Sequence, residues 1–183
     1  MTLHKMNTLL NTLYSTESIE YIEKTFQRGE QILAAGDNEQ YIYIILSGCV
    51  RVIYSTKEEE HTIRLGYKNS IIASLPAFFT NTPSLFSIET IRKSTVRFIK
   101  KETLSSIVNK SPELSIAYQK LLEDLVRQQV ERELDLLTVS PAERIQRVIE
   151  RSPQVFQEVP LKYIAYYLRM SPETLSRILS SKS

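Results

Sequence analysis

The sequence predicts an α+β chain: an all-β region first, then one long helix, then a small all-α domain ending in a helix-turn-helix. Three observations predict it. From about residue 20 to residue 100, apolar residues come in short or alternating runs broken by turn residues, which is the period of strands. From Pro112 to about Thr138, no helix breaker interrupts a broad apolar band at helical spacing. Beyond that, Ser140-Pro141 and Ser171-Pro172 each open a further helix. The expected boundaries are 1–110 for the β-rich domain, 111–139 for the connecting helix and 140–183 for the helical domain.

In the β region the runs "YIEKTF", "QRGEQIL", "YIYIIL", "CVRVIYS", "HTIRLG", "FSIETI" and "STVRFI" read as short apolar or alternating strand segments. A hairpin is expected at Ser47 and Gly48, and Gly29, Gly36 and Gly48 all stand in turn contexts where positive φ is useful. Cys49, the single cysteine, reads as a buried structural thiol in strand core. The acidic "EEE" at 58–60 reads as a solvated hairpin tip, and His61 after it as an exposed strand residue rather than a ligand. "KKETLSSIVNK" predicts a short helix before the long one.

The long helix starts at a Ser111-Pro112 cap and reaches roughly 40 Å at 1.5 Å per residue. Its apolar band is wider than packing on one domain requires. A homodimer seam is therefore expected along Leu114, Tyr118, Leu121, Leu122, Leu125 and Val126, the plainer reading being a helix lying along the β domain. Ser140 with Glu143 makes a capping box for the next helix. "SPQVFQEV" then reads as a connector and "PLKYIAYYLR" as a helix. Met170 and the Ser171 cap leave so short a connection that the last two helices must turn sharply, because Pro172 biases Ser171 away from the α region. With Ile164, Ala165, Leu168, Leu175 and Ile178 as their shared spine, they form a helix-turn-helix.

Composition excludes several classes. The profile, 42% hydrophobic and 24% charged in 183 residues, is that of a soluble globular protein. No run approaches the roughly 18 apolar residues of a membrane span, and "MTLHKMNTLLNTLY" lacks a signal-peptide core, so no membrane partner and a cytoplasmic location are expected. One cysteine and two histidines give no disulfide and no metal-cluster spacing. No convergent nucleophile, base and oxyanion donors and no Walker loop are legible, so no enzyme is expected. The net charge of +2 divides unevenly: residues 140–183 hold seven Lys or Arg against four Glu, which is compatible with a polyanion partner and equally with a solubilising surface.

Phe26-Gln-Arg-Gly29-Glu30, then Gly36-Asp37, then "YIILSGCV" from Tyr43, a long helix and "IAYYLRMSPETLSRI" follow one another in an order that resembles the Crp/Fnr-type transcription regulators over nearly the whole chain. The resemblance implies a cyclic-nucleotide-binding-type β-roll (a double-stranded β-helix), a dimer through the long helix and a DNA-binding terminal domain. It also implies double-stranded DNA, a second copy, RNA polymerase and a small-molecule effector as partners.

The departures narrow this. In nucleotide-binding members a Gly-Glu pair and a later Arg-Ser or Arg-Thr pair hold ribose and phosphate; here Ala73-Ser74 and Pro83-Ser84 stand in their places. Losing the acceptor and the cation removes charge-assisted bonds worth about 1.5–3 kcal/mol each, so cAMP is not expected to bind. Phe78 and Phe86 leave two readings open, an apolar effector pocket or a filled one. The cysteine set of the iron–sulfur members is absent, so no cofactor is expected. Arg169 stands where members often have Gly, either as a strained residue at positive φ or as a phosphate contact. After the last helix only "SSKS" follows, so the β-hairpin wing of many winged-helix domains is not expected.

For readout the resemblance points to Arg177, bridging guanine O6 and N7, and Glu173, accepting from cytosine N4. The alternative is that the two pair with each other along an exposed helix. Thr174, Ser176 and Lys162 are expected at phosphates. The function expected is a dimeric regulator reading a near-palindromic site with half-sites about 10 bp apart, not controlled by cAMP. The alternative is a ligand-sensing or scaffolding β-roll dimer whose wingless tail binds no DNA specifically.

Overall fold

The computed structural model describes residues 9, 11–13 and 19–181, so most of the N-terminal stretch inspected for a signal segment, and Lys182 of the basic tail, lie outside the described residues. Among the described residues, eight strands form two four-stranded antiparallel sheets. One runs in the order β1 (Ile22–Phe26), β8 (Ser94–Lys100), β3 (Tyr41–Ser47), β6 (Ile71–Ile72). The other runs β2 (Gln31–Leu33), β7 (Phe86–Thr90), β4 (Cys49–Ser55), β5 (Glu60–Tyr67).

The hairpin expected at Ser47 and Gly48 is a corner instead. Strands β3 and β4 do not pair; β3 ladders with β8 and β6, and β4 with β5 and β7, so the chain changes sheet between them. Gly48 makes the corner at φ +83, where a Cβ would sit 2.4 Å from the Lys93 carbonyl oxygen. The true hairpin joins β4 to β5 through the acidic tip. There His61 is half-buried rather than exposed, its ring stacked on Tyr54 at 6.4 Å and its Nε2 3.2 Å from Glu59 Oε1.

Strand β3 shows why its run is almost continuously apolar: alternate residues serve two cores. Tyr43 and Ile45 enter the space between the sheets with Val52, Ile72, Ile88 and Val96. Ile42 and Ile44 face outward into a second core with Leu9, Leu13, Leu104, Ile107 and Ala117. That outer core seats a helix not anticipated from sequence, α1 (Leu75–Thr80), together with α2 (Lys101–Val108) and the first half of α3 (Pro112–Leu137). Ser111 caps α3 by accepting from Leu114 N–H at 3.3 Å, and the helix runs 26 residues as expected.

The remaining helices are α4 (Pro141–Arg151), α5 (Val155–Glu158), α6 (Leu161–Tyr167) and α7 (Pro172–Ser180). Segment 152–159, expected as a connector, holds the single turn of α5. Ile145, Ile164, Ala165, Leu168 and Leu175 are fully buried in a third core, which also takes in Cys49 and Ile91 from the roll. The helical domain is thus packed on the roll, and burial among these side chains pushes the Cys49 thiol up from its ordinary value.

Candidate nucleic-acid interface and effector cavity

The turn between α6 and α7 is built by Arg169 at φ 52, the left-handed conformation its sequence position predicts. The cost is about 1 kcal/mol relative to glycine, offset by closing bonds from Arg169 N–H to Tyr166 O at 3.2 Å and from Met170 N–H to Ala165 O at 3.0 Å. Ser171 then accepts from Thr174 N–H at 3.2 Å and starts α7. Leu175 faces inward and is fully buried, so Glu173, Ser176 and Arg177 are exposed on the other side. Thr174 is half-buried, its hydroxyl 3.1 Å from that of Ser171. Arg169 and Lys162 are exposed beside this face, the Lys162 ammonium 5.7 Å from the Tyr166 ring centre. Among the described residues no ion pair joins Glu173 to Arg177, and backbone N–H and the Ser171 hydroxyl hold the Glu173 carboxyl below its ordinary value.

The other basic residues of the tail are used internally. Arg147 and Arg151 converge on the fully buried Asp135 of α3, with Arg147 Nε 3.0 Å from Oδ1 and Arg151 Nη2 2.5 Å from Oδ2. Arg144 Nη1 donates to Leu168 O at 2.9 Å. Among the described residues the charge excess thereby resolves into an internal set, in which Arg147 and Arg151 dock α4 on α3 and Arg144 holds the Leu168 carbonyl, and a surface set, Lys162, Arg169 and Arg177, around the turn.

The expected seam residues divide as well. Leu114, Tyr118 and Leu121 pack against the core of the chain's own roll. Leu122 and Leu125 line a cavity, and Val126 is 65% exposed. Val126, Val130, Leu134 and Leu137, spaced by four, four and three residues, form one exposed apolar stripe on the opposite side of α3 from Ala117, Arg132 and Asp135.

In the roll, the residues standing where nucleotide binding would need Gly-Glu and Arg-Ser are closed on themselves. Ser84 Oγ donates 2.7 Å to Ser74 Oγ and accepts from Phe86 N–H at 3.0 Å. The Ser74 N–H donates 3.1 Å to a carboxylate missed in sequence, Glu39. That side chain is 3% exposed and also accepts from Tyr43 Oη at 2.8 Å and Tyr41 N–H at 3.2 Å. Burial raises the Glu39 pKa against these hydrogen bonds. An internal carboxylate thus occupies the Ser74 N–H at the position where nucleotide-binding members have Gly-Glu. Pro83 lies exposed at a bridge to Asn38, Phe78 is core, and Ala73 and Phe86 line the cavity beside this plug.

Because the folded pKa of Glu39 exceeds its unfolded value, the native state holds more protons between the two. Its contribution to stability is therefore fully present below the unfolded value and lost as pH rises through the folded one. Unfolding midpoints in urea, measured from about pH 4 to pH 8, are expected to fall over that window. Glu39→Gln should flatten the decline, and an unchanged slope in the variant would assign it to another group.

A cyclic nucleotide-binding domain model matches residues 23–111. No curated protein matches the chain by sequence. Solved structures share the fold at low identity. FixK2 from Bradyrhizobium japonicum aligns with TM-score 0.73 at 17% identity, over 89% of this chain and 84% of that one. A CooA variant from Carboxydothermus hydrogenoformans aligns with TM-score 0.71 at 19% identity, over 94% and 83%. A CRP-family transcriptional regulator from Thermus thermophilus aligns with TM-score 0.63 at 18% identity, over 86% and 83%. Residues 23–111 thus match the cyclic nucleotide-binding domain model, in a chain that shares the fold of these solved regulators.

Proposed function

We propose that this chain is a homodimeric DNA-binding transcription regulator that reads a near-palindromic site and is not controlled by cAMP. The observation that carries the reading is the α6–α7 pair: Leu175 is locked inward while Arg177, Glu173 and Ser176 project together from one exposed face, flanked by Arg169 and Lys162. Such a helix fits the major groove, with its first turns at base edges and the flanking cations at phosphates. The exposed stripe on α3 supports self-association, which would place two reading helices about one turn of DNA apart. The Glu39 plug supports independence from cAMP, since a buried carboxylate holds the Ser74 N–H.

Selection from a randomised duplex pool at two salt concentrations tests the reading, with recovery of a palindromic motif as the expected result. Arg177→Ala should cost about 1–3 kcal/mol on that motif and relax preference at one base pair of each half-site. Lys162→Ala should weaken all sequences evenly and lower the salt slope by about 1. Binding without a motif, unchanged by Arg177→Ala, would favour the scaffolding alternative.

A further inference from the structure

The cavity between the roll and α3 has a volume of about 550 Å³, within the roughly 300–1,000 Å³ of small-molecule sites. Its walls are mostly apolar: Ile63 and Phe86 from the roll, Phe79 from α1, Leu122 and Leu125 from α3. Its lining carries two arginines, Arg64 of β5 and Arg132 of α3, and no aspartate or glutamate.

Arg132 is the unusual one. It is 7% exposed, its Nη1 is buried without a hydrogen-bond partner, and its Nη2 makes one long bond of 3.3 Å to Thr62 O. Its guanidinium carbon lies 3.9 Å from the centre of the Tyr167 ring, at the edge of the helical domain. Arg64 Nη2 is held by a neutral group, Gln128 Oε1, at 3.0 Å. Neither forms an ion pair among the described residues, because the nearby carboxylates of Asp135 and Glu131 serve Arg147 and Arg151. A guanidinium withdrawn from water without an anion is unfavourable, and burial lowers the pKa of both arginines. The site is short of one negative charge and has an apolar volume beside the place where that charge would sit.

We infer that this cavity binds an amphipathic organic carboxylate, its headgroup on Arg132 and Arg64 and its apolar body against Phe79, Phe86 and Leu125. The inference deepens the reading of the chain as a regulator by giving its roll a small-molecule effector, and it rests on that reading. A cyclic nucleotide fits this site poorly, since its ribose hydroxyls would lie against hydrocarbon and no carboxylate lines the cavity to receive them. A carboxylate would also compete with the Tyr167 face for Arg132, so the same ligand touches the roll, the long helix and the helix-turn-helix.

Titration calorimetry on the full chain without DNA tests this, using octanoate, 1-octanol and octylamine as matched acid, neutral and base. Octanoate is expected to bind about 10–100-fold more tightly than 1-octanol, the worth of a charge-assisted pair, with octylamine the weakest. Arg132→Met should bring octanoate down to the affinity of 1-octanol while leaving 1-octanol unchanged. Arg64→Met should lower octanoate by a smaller factor and serves if Arg132→Met does not fold. Equal affinity for octanoate and 1-octanol in the unaltered chain, or binding of none of the three, would overturn the inference. Because DNA is absent, either result is independent of whether the chain recovers a motif from the duplex pool.

Discussion

Val130→Asp is expected to turn the protein into a monomer and to weaken binding to a palindromic DNA site by about 10²–10⁴-fold, the factor contributed by tethering a second half-site reader. Val126, Val130, Leu134 and Leu137 are 65%, 50%, 45% and 76% exposed and share one face of α3. Since each is already partly covered, burying the rest in a seam is worth about 1–2 kcal/mol per side chain, a fraction of the value for burial from full exposure. A twofold seam is isologous, so an aspartate at its centre faces its own copy and loses water twice. Sedimentation at several protein concentrations reads the dimer directly, and DNA binding to a full site and a half-site reads its consequence. Val130→Ile should leave both unchanged. A Val130→Asp protein that still sediments as a dimer would remove this stripe as the seam.

Much of this architecture was legible because it is local. Helix starts at Ser111, Ser140 and Ser171 follow from side chains that cap within three residues, and each accepts the expected N–H. The left-handed Arg169 was legible only through the resemblance, as the residue standing where members often have Gly. The change of hydrophobic period near residue 100 marks the passage from sheets to helices, since period depends on local geometry alone.

What could not be read depends on pairings distant in sequence. Whether the turn at Gly48 is a hairpin or a corner is decided by which strands β3 and β4 find, and their partners lie as far away as β8 and β7. Glu39 looks like one more surface acid beside Asp37; only folding brings Ser74 N–H, 35 residues on, to its carboxylate. The long-helix band could not be divided from sequence because an apolar residue carries no label for which neighbour covers it. Leu114, Tyr118 and Leu121 went to the roll, leaving the later stripe exposed. The cavity arginines share this limit: Arg132 is distinguished from Arg147 and Arg151 only by where the carboxylates end up.

The same accounting makes Asp135→Ala the most damaging single truncation in the helical half, with an expected loss of about 3 kcal/mol, the lower end of the range for breaking a buried ion pair. Asp135 is fully buried and receives Arg147 Nε at 3.0 Å and Arg151 Nη1 at 3.2 Å, besides the closer Nη2 contact. Removing it leaves two guanidinia with only Glu131, at 2.8 Å from Arg147 and 3.5 Å from Arg151, and Arg132 close by on the same face of α3. Partial exposure of Arg147 softens the loss and keeps it from the upper end. A double-mutant cycle with Arg151→Ala should show a coupling of about 1–3 kcal/mol, whereas additivity would mean that the arginines find other partners. Because these bonds tie α4 to the long helix, they would also set where the proposed reading helix stands relative to the axis of the proposed dimer. Asp135→Asn, which keeps the shape and drops the charge, should therefore weaken binding to the full palindrome more than to an isolated half-site. Equal losses on both would make Asp135 an anchor for folding alone.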